Sequence, residues 1–264
     1  MTSTTGADRA FFGVSALVFA ASAVETIVWC ASMSGGAMAD MPMPGGWTMS
    51  MAWMRMPGQS WSGAAASFLG MWVVMMVAMM MPSLVPMLRR YRECVGGVRG
   101  ARLGGLTALV GAGYFTVWTL FGVAAFPIGV ALTEVEMRQP VLSRAVPIAV
   151  AAVVLAAGAL QLTAWKARRL GCCREPPGQG RPLGADARTA WRHGLRLGVD
   201  CVACCASLMA ILLVTGVMDL RAMTVVAAAI TVERVTRGGE RVARATGAVA
   251  VGAGLLLLAR ALSS

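Results

Sequence analysis

Between Cys201 and Met209 the chain reads Cys201-Val202-Ala203-Cys204-Cys205-Ala206-Ser207-Leu208-Met209, three thiols and a thioether in a short apolar run. At about 3.6 residues per helical turn, positions 201, 204, 205 and 209 fall on one face. Soft sulfur donors grouped this way suit Cu(I) or Zn(II) and suit Mg(II) or Ca(II) poorly. A single cysteine is equally well a small buried hydrophobe, so the grouping carries the signal. Adjacent thiols such as Cys204 and Cys205 point about 100° apart on a helix, which makes Cys201 with Cys204 or Cys205 the better intrahelical chelate. Upstream lie Cys172-Cys173 and the only histidine, His193, which can complete the ligand set. Closed tetrahedral zinc can be built from these residues.

Methionine adds a second soft-donor signal. The chain has 20. Met71, Met75 and Met79 form an i, i+4, i+8 stripe, and Met76, Met80 and Met87 a neighbouring row. Eight more, at 33, 38, 41, 43, 49, 51, 54 and 56, crowd a Gly- and Pro-rich segment in which Met41-Pro42-Met43 and Met49-Ser50-Met51 space thioethers two apart. Thioethers are poor zinc ligands and good Cu(I) ligands, so the combined set favours Cu(I). The plainer alternative is that methionine fills irregular core gaps or packs at the membrane interface.

The elements that position these groups are transmembrane helices. The sequence is 58% apolar and 13% charged over 264 residues, with a mean hydropathy of +0.70. A soluble domain carries about 25% charge. The apolar residues come in runs long enough for helical spans, and the alternating segments of a closed barrel are absent. The expected architecture is a single all-α, polytopic membrane domain with about seven helices, near 11–31, 62–88, 104–132, 146–165, 197–218, 222–235 and 246–262. The first reads as a retained helix, not a cleaved signal. Neither an internal repeat nor an appended soluble domain is evident.

Net charge is +11. In a soluble protein that balance suggests nucleic acid. Here the arginines sit in short loops at 89–102, 166–196 and 234–244, which places those loops in the cytoplasm, the N-terminus inside and the Met-rich loop 32–61 outside. The implied location is the cell inner membrane, with the lipid bilayer and a metal ion as partners and no nucleic acid. Glu25 and Glu233 are ionisable groups in or near spans and are expected to face the bundle. Pro82 and Pro86 are expected to kink the inner end of the second helix. If the second and fifth helices are neighbours, the Met71–Met87 ladder leads to the thiols.

Several motifs resemble a bacterial family of predicted metal-binding integral membrane proteins of unknown function. They are Met71-Trp72-x2-Met75-Met76-x-Ala78-Met79-Met80-x-Pro82-Ser83-x2-Pro86-Met87, Tyr114-x3-Trp118, Gln161-Leu162-Thr163 with Lys166, His193-Gly194, Cys201-x2-Cys204-Cys205, Leu208-Met209 and Gly216-Val217-Met218. The likeness spans roughly residues 60 to 240 and implies a metal without naming the ion. Two features depart from the family pattern: Cys172 and Cys173 are adjacent, and Ala206 stands where an aromatic is usual.

Three functions fit these residues. The first is Cu(I) handling, either transport or delivery to a metallochaperone or a metalloenzyme being assembled; the metal set is then Cys201, Cys204, Cys205, Met209, Cys172, Cys173, His193, Met71, Met75, Met79 and Met80. The second is a membrane thiol–disulfide redox protein, although Asp200 beside Cys201 works against thiolate formation. The third is a non-catalytic assembly factor. No catalytic motif beyond the clustered thiols is present, so an enzyme is not expected. No ATP-binding motif is evident, so any pumping uses a gradient or a partner.

Overall fold

A computed structural model describes residues 3–34, 41–43, 47–49, 53–55, 58–95, 97–174 and 183–263. Eight helices are present among them: α1 (Ser3–Ser34), α2 (Trp61–Cys94), α3 (Gly100–Arg138), α4 (Pro140–Gln161), α5 (Ala164–Arg174), α6 (Ala187–Thr215), α7 (Leu220–Val235) and α8 (Gly239–Ser263). Two three-residue strands, β1 (Met41–Met43) and β2 (Trp47–Met49), pair antiparallel between α1 and α2. Six helices, α1, α2, α3, α4, α6 and α8, are long and apolar enough to cross a membrane.

Two boundaries differ from the sequence reading, both for one reason. Helical hydrogen bonding continues through charged residues as readily as through apolar ones, whereas hydropathy sees only the apolar stretch. The basic segment 166–196 is therefore not one loop. It contains α5 and the first turns of α6, whose N-cap is Asp186. Likewise α8 starts at Gly239 and takes in Arg241 and Arg244. The expected sixth helix, 222–235, is α7, with 16 residues, about 24 Å against a hydrocarbon core of about 30 Å.

Local chemistry sets the helix ends. Ser60 caps α2, its hydroxyl accepting from the Gly63 N–H at 3.1 Å. Asp186 accepts from the Thr189 N–H at 2.8 Å, and hydrogen bonds from Thr189 hold its carboxyl below the usual range. Asp219 caps α7 through the N–H groups of Arg221 and Ala222. Pro82 and Pro86 sit inside α2, which runs on through both to Cys94.

The core is centred on α2. Met71, Trp72, Met75, Met76, Met79, Met80, Met81, Leu84 and Met87 are all buried on it. Trp72 donates its indole N–H to the Trp118 carbonyl on α3 at 2.9 Å. By contrast α1 leaves Val14, Leu17, Val24 and Val28 exposed, an apolar surface suited to lipid. Glu25 is exposed on that outer face, so the expectation that it turns inward fails. Glu233 does turn inward and is 1% exposed.

Small residues decide how closely helices approach. At the α3–α6 crossing a Cβ on Gly113 would lie 2.8 Å from the Trp191 carbonyl oxygen, and one on Gly198 would lie 2.8 Å from the Val117 Cβ. A Cβ on Gly194 would strike the Val110 carbonyl. Glycine at all three lets the backbones touch, as at other membrane helix interfaces. The α4–α8 crossing uses Gly158, Gly247 and Gly254 in the same way.

Part of the Met-rich segment is ordered as the β1–β2 hairpin, with Met41 opposite Met49 and Met43 opposite Trp47. The Trp47 indole N–H donates to the Ser143 carbonyl at 2.9 Å, and the Trp53 ring packs on Phe68. These contacts seat the segment on α2 and α4. Met38, Met51 and Met56 lie outside the described residues, as do the side chains of Met33, Met41 and Met49.

Candidate metal centre

Cys201 sits at the middle of α6 and is fully buried. One turn on, Cys205 places its Sγ 3.7 Å from the Cys201 Sγ. The close α3–α6 approach at Gly113 and Gly194 brings in the neighbouring Tyr114, whose hydroxyl donates to the Cys201 Sγ at 2.9 Å. The third arm comes from α7. Arg234, 4% exposed, donates from Nη1 to the Cys201 Sγ at 2.7 Å and to the Ser83 hydroxyl at 3.1 Å. Its Nη2 donates to the Met87 Sδ at 3.0 Å. One guanidinium thus joins a thiol of α6 to a thioether of α2.

A second buried polar group abuts the first through the chain itself. Glu233, next to Arg234, forms an ion pair with Lys166 at 2.7 Å; the two side chains are 1% and 2% exposed. The Gln161 amide and the Thr246 hydroxyl each donate to the Glu233 Oε1 at 2.7 Å. Ser207 donates to the Gln161 Oε1 at 3.1 Å. The Lys166 Nζ also donates to the Cys204 carbonyl at 2.7 Å. A carboxylate out of water needs such partners on both oxygens. The network ties α4, α5, α6, α7 and α8 together on the opposite side of the thiol turn.

The structure divides the residues expected to bind metal. Cys201 and Cys205 converge, with Cys204 buried beside them. Met209 is buried one turn beyond Cys205 on α6. His193 is separate: it stacks on Tyr91 with ring centroids 5.4 Å apart and lies eight residues from Cys201, about 12 Å along the helix. Cys172 and Cys173 occupy the last turn of α5, and their side chains lie outside the described residues. Met71, Met75, Met79 and Met80 are buried core on α2. Among the described residues no three His, Cys, Asp or Glu side chains form a metal-holding group; the sulfurs brought together around Cys201 are the Cys205 thiol and, through Arg234, the Met87 thioether.

The second and fifth expected helices are not packed face to face. Helix α2 packs chiefly against α1, α3 and α7, and α6 against α3, α4, α5 and α7. Arg234 of α7 spans the gap, because its long side chain reaches both sulfurs. Sequence reasoning passed over Arg234, assigning it to a cytoplasmic loop. The available signal was the Glu233-Arg234 pair directly after an apolar stretch, where two charges within a helix need buried partners. Another sulfur contact also escaped it, from Cys30 to Met218 at 3.9 Å.

A protein-family model described as PpoB2, copper chaperone, matches residues 69–257. The chain belongs to this family. The match agrees with the metal-related resemblance of the sequence motifs. In this copper-chaperone family member the matched stretch takes in the methionines of α2, Tyr114, the thiols of α6 and the Glu233-Arg234 pair, and leaves out the Met-rich hairpin. Comparison with curated proteins and with solved structures gives no match for the chain.

Proposed function

We propose that the chain holds Cu(I) as cargo at Cys201 and Cys205, with Met87 as a thioether partner, and hands the ion to a metalloprotein under assembly in the cell inner membrane. The observation that carries this reading is the buried thiol pair, 3.7 Å apart inside the copper-chaperone match. Two metal–thiolate bonds of about 2.3 Å permit any sulfur separation up to about 4.6 Å. Buried thiols and thioethers offer soft donors only, which favours Cu(I) over the harder divalent ions. The protein works by ligand exchange, not as an enzyme, and the polar network at Lys166 and Glu233 keeps the thiol turn in place.

The same geometry disfavours thiol–disulfide chemistry. Residues four apart on a helix hold their Cβ atoms about 5 to 6 Å apart, while a disulfide needs about 3.5 to 4.5 Å. Joining Cys201 to Cys205 would require α6 to distort, whereas a metal ion bridges them without strain. Counting copper in the purified, reduced protein tests the reading. We expect about one tightly held Cu(I) per chain, with sulfur-only coordination in X-ray absorption. Reduced protein that takes up no Cu(I) would overturn it.

The membrane arrangement follows from the loop charges and the exposed apolar faces. The N-terminus and the basic segments 89–102, 166–196 and 234–244 belong to the cytoplasmic side, and the hairpin 41–49 to the other. Reporter fusions at Gly178 and Gly45 are expected to report opposite sides. Both on one side would refute that orientation and leave the thiol site untouched.

A further inference from the structure

We infer that Arg234 is the release element of the copper site, a built-in cation that competes with Cu(I) for the same sulfurs. The inference rests on the Cu(I) reading of Cys201 and Cys205 above. Its basis is the seat of the guanidinium, which lies between the two soft donors that α6 and α2 contribute, with one nitrogen on the Cys201 Sγ and the other on the Met87 Sδ. An ion bonded to both sulfurs needs the same space and the same lone pairs. Guanidinium and metal therefore exclude each other at this pair.

Charge explains why such a competitor works in a buried site. The guanidinium and Cu(I) both carry +1, so exchanging one for the other leaves the charge around the sulfurs unchanged. Holding both would place two like charges a few ångströms apart out of water, which is strongly repulsive. A divalent ion would add charge on exchange and gains less from the swap. The step is a ligand exchange in which no electrons move. Copper–sulfur bonds at Cys201, Cys205 and Met87 break as new ones form to the thiolates of a stronger acceptor. The guanidinium re-forms its N–H···S hydrogen bonds to Cys201 and Met87, and the Cys205 thiolate takes up the proton that the acceptor thiol loses on binding the ion.

Arg234 also has somewhere to go. Its Nη1 is already shared with Ser83 and lies 3.4 Å from the Tyr114 hydroxyl, so the guanidinium has oxygen partners on its way out as the incoming ion displaces it from the sulfurs. Its position on the last turn of α7, just before the short 236–238 connection to α8, lets any movement of α7 reach the site directly. Glu233 is anchored by Lys166, Gln161 and Thr246 on the other side and serves as the fixed point about which Arg234 shifts.

The test uses the full-length reduced protein in detergent, with a chromophoric Cu(I) chelator as competitor and acceptor. Arg234→Gln keeps polar contacts and removes the charge; Arg234→Lys keeps the charge. Arg234→Gln is expected to hold Cu(I) tighter, and release it more slowly, by on the order of tenfold or more, with Arg234→Lys close to the wild type. An Arg234→Gln variant that folds normally but binds copper equally or more weakly overturns the inference. Should Arg234→Gln not fold, the wild type itself decides. Cu(I) loading must shift the infrared guanidinium stretching bands of isotope-labelled arginine, and unchanged bands overturn the inference. Wild-type protein that binds no Cu(I) refutes the copper reading as a whole. Normal binding with release unaltered in Arg234→Gln refutes only the role of Arg234.

Discussion

Replacing Cys201 and Cys205 together by serine is expected to weaken Cu(I) binding by on the order of a thousandfold, about 4 kcal/mol. Serine is nearly isosteric but supplies a hard oxygen, which Cu(I) accepts poorly. The two sulfurs lie 3.7 Å apart, so losing both removes the chelate. The helix should survive, because serine is tolerated at a site already lined by the Tyr114 hydroxyl and the Arg234 guanidinium. Competition with a chromophoric chelator measures the loss, and circular dichroism checks the fold. Cys204→Ser, which leaves the 3.7 Å pair intact, should have a much smaller effect. Wild-type affinity in the Cys201→Ser/Cys205→Ser protein would move the site elsewhere, to Cys172 and Cys173 or to the methionines.

Lys166→Met should be the most destabilising single change outside the metal site, at about 3–5 kcal/mol. It leaves Glu233 charged, buried and without its cation, and it frees the Cys204 carbonyl from the Lys166 Nζ. Lys166→Met/Glu233→Leu should recover most of that loss, since removing both charges removes the uncompensated one. The pair thus serves to fix where α5 and α7 meet α6 more than to add net stability. Denaturation midpoints of the wild type, the single variants and the double variant form the required cycle. A Lys166→Met protein as stable as the wild type would show that the pair is not the buried anchor described here.

The sulfur groups were legible because helical spacing alone aligns them. Cys201 and Cys205 are one turn apart in any α-helix, and the Met71, Met75, Met79 stripe is likewise a property of α2 by itself. The long apolar runs were legible for the same reason. What failed were readings that needed a partner from elsewhere in the chain. His193 was grouped with the thiols as a soft-metal ligand in the basic segment just upstream of them, yet it turns to Tyr91. Glu25 was turned inward because a carboxylate in hydrocarbon is costly, yet α1 is peripheral and exposes it. Arg234 was read as loop charge because its partners lie on α2, α3 and α6.

By itself, then, the amino-acid order determined an all-helical chain with membrane-length apolar stretches, a soft-donor turn at 201–205 and a methionine stripe on the second helix. These depend only on hydropathy and on the period of the helix, both local quantities. The tertiary structure decided which donors meet. Glycines at 113, 194 and 198 let α3 close on α6 and deliver Tyr114 to Cys201. The Lys166–Glu233 pair sets the last turn of α7 against α6, and that placement carries Arg234 between Cys201 and Met87. Such meetings are set by close packing of distant segments and by the need of buried charges for partners. Neither has any period along the chain from which it could have been read.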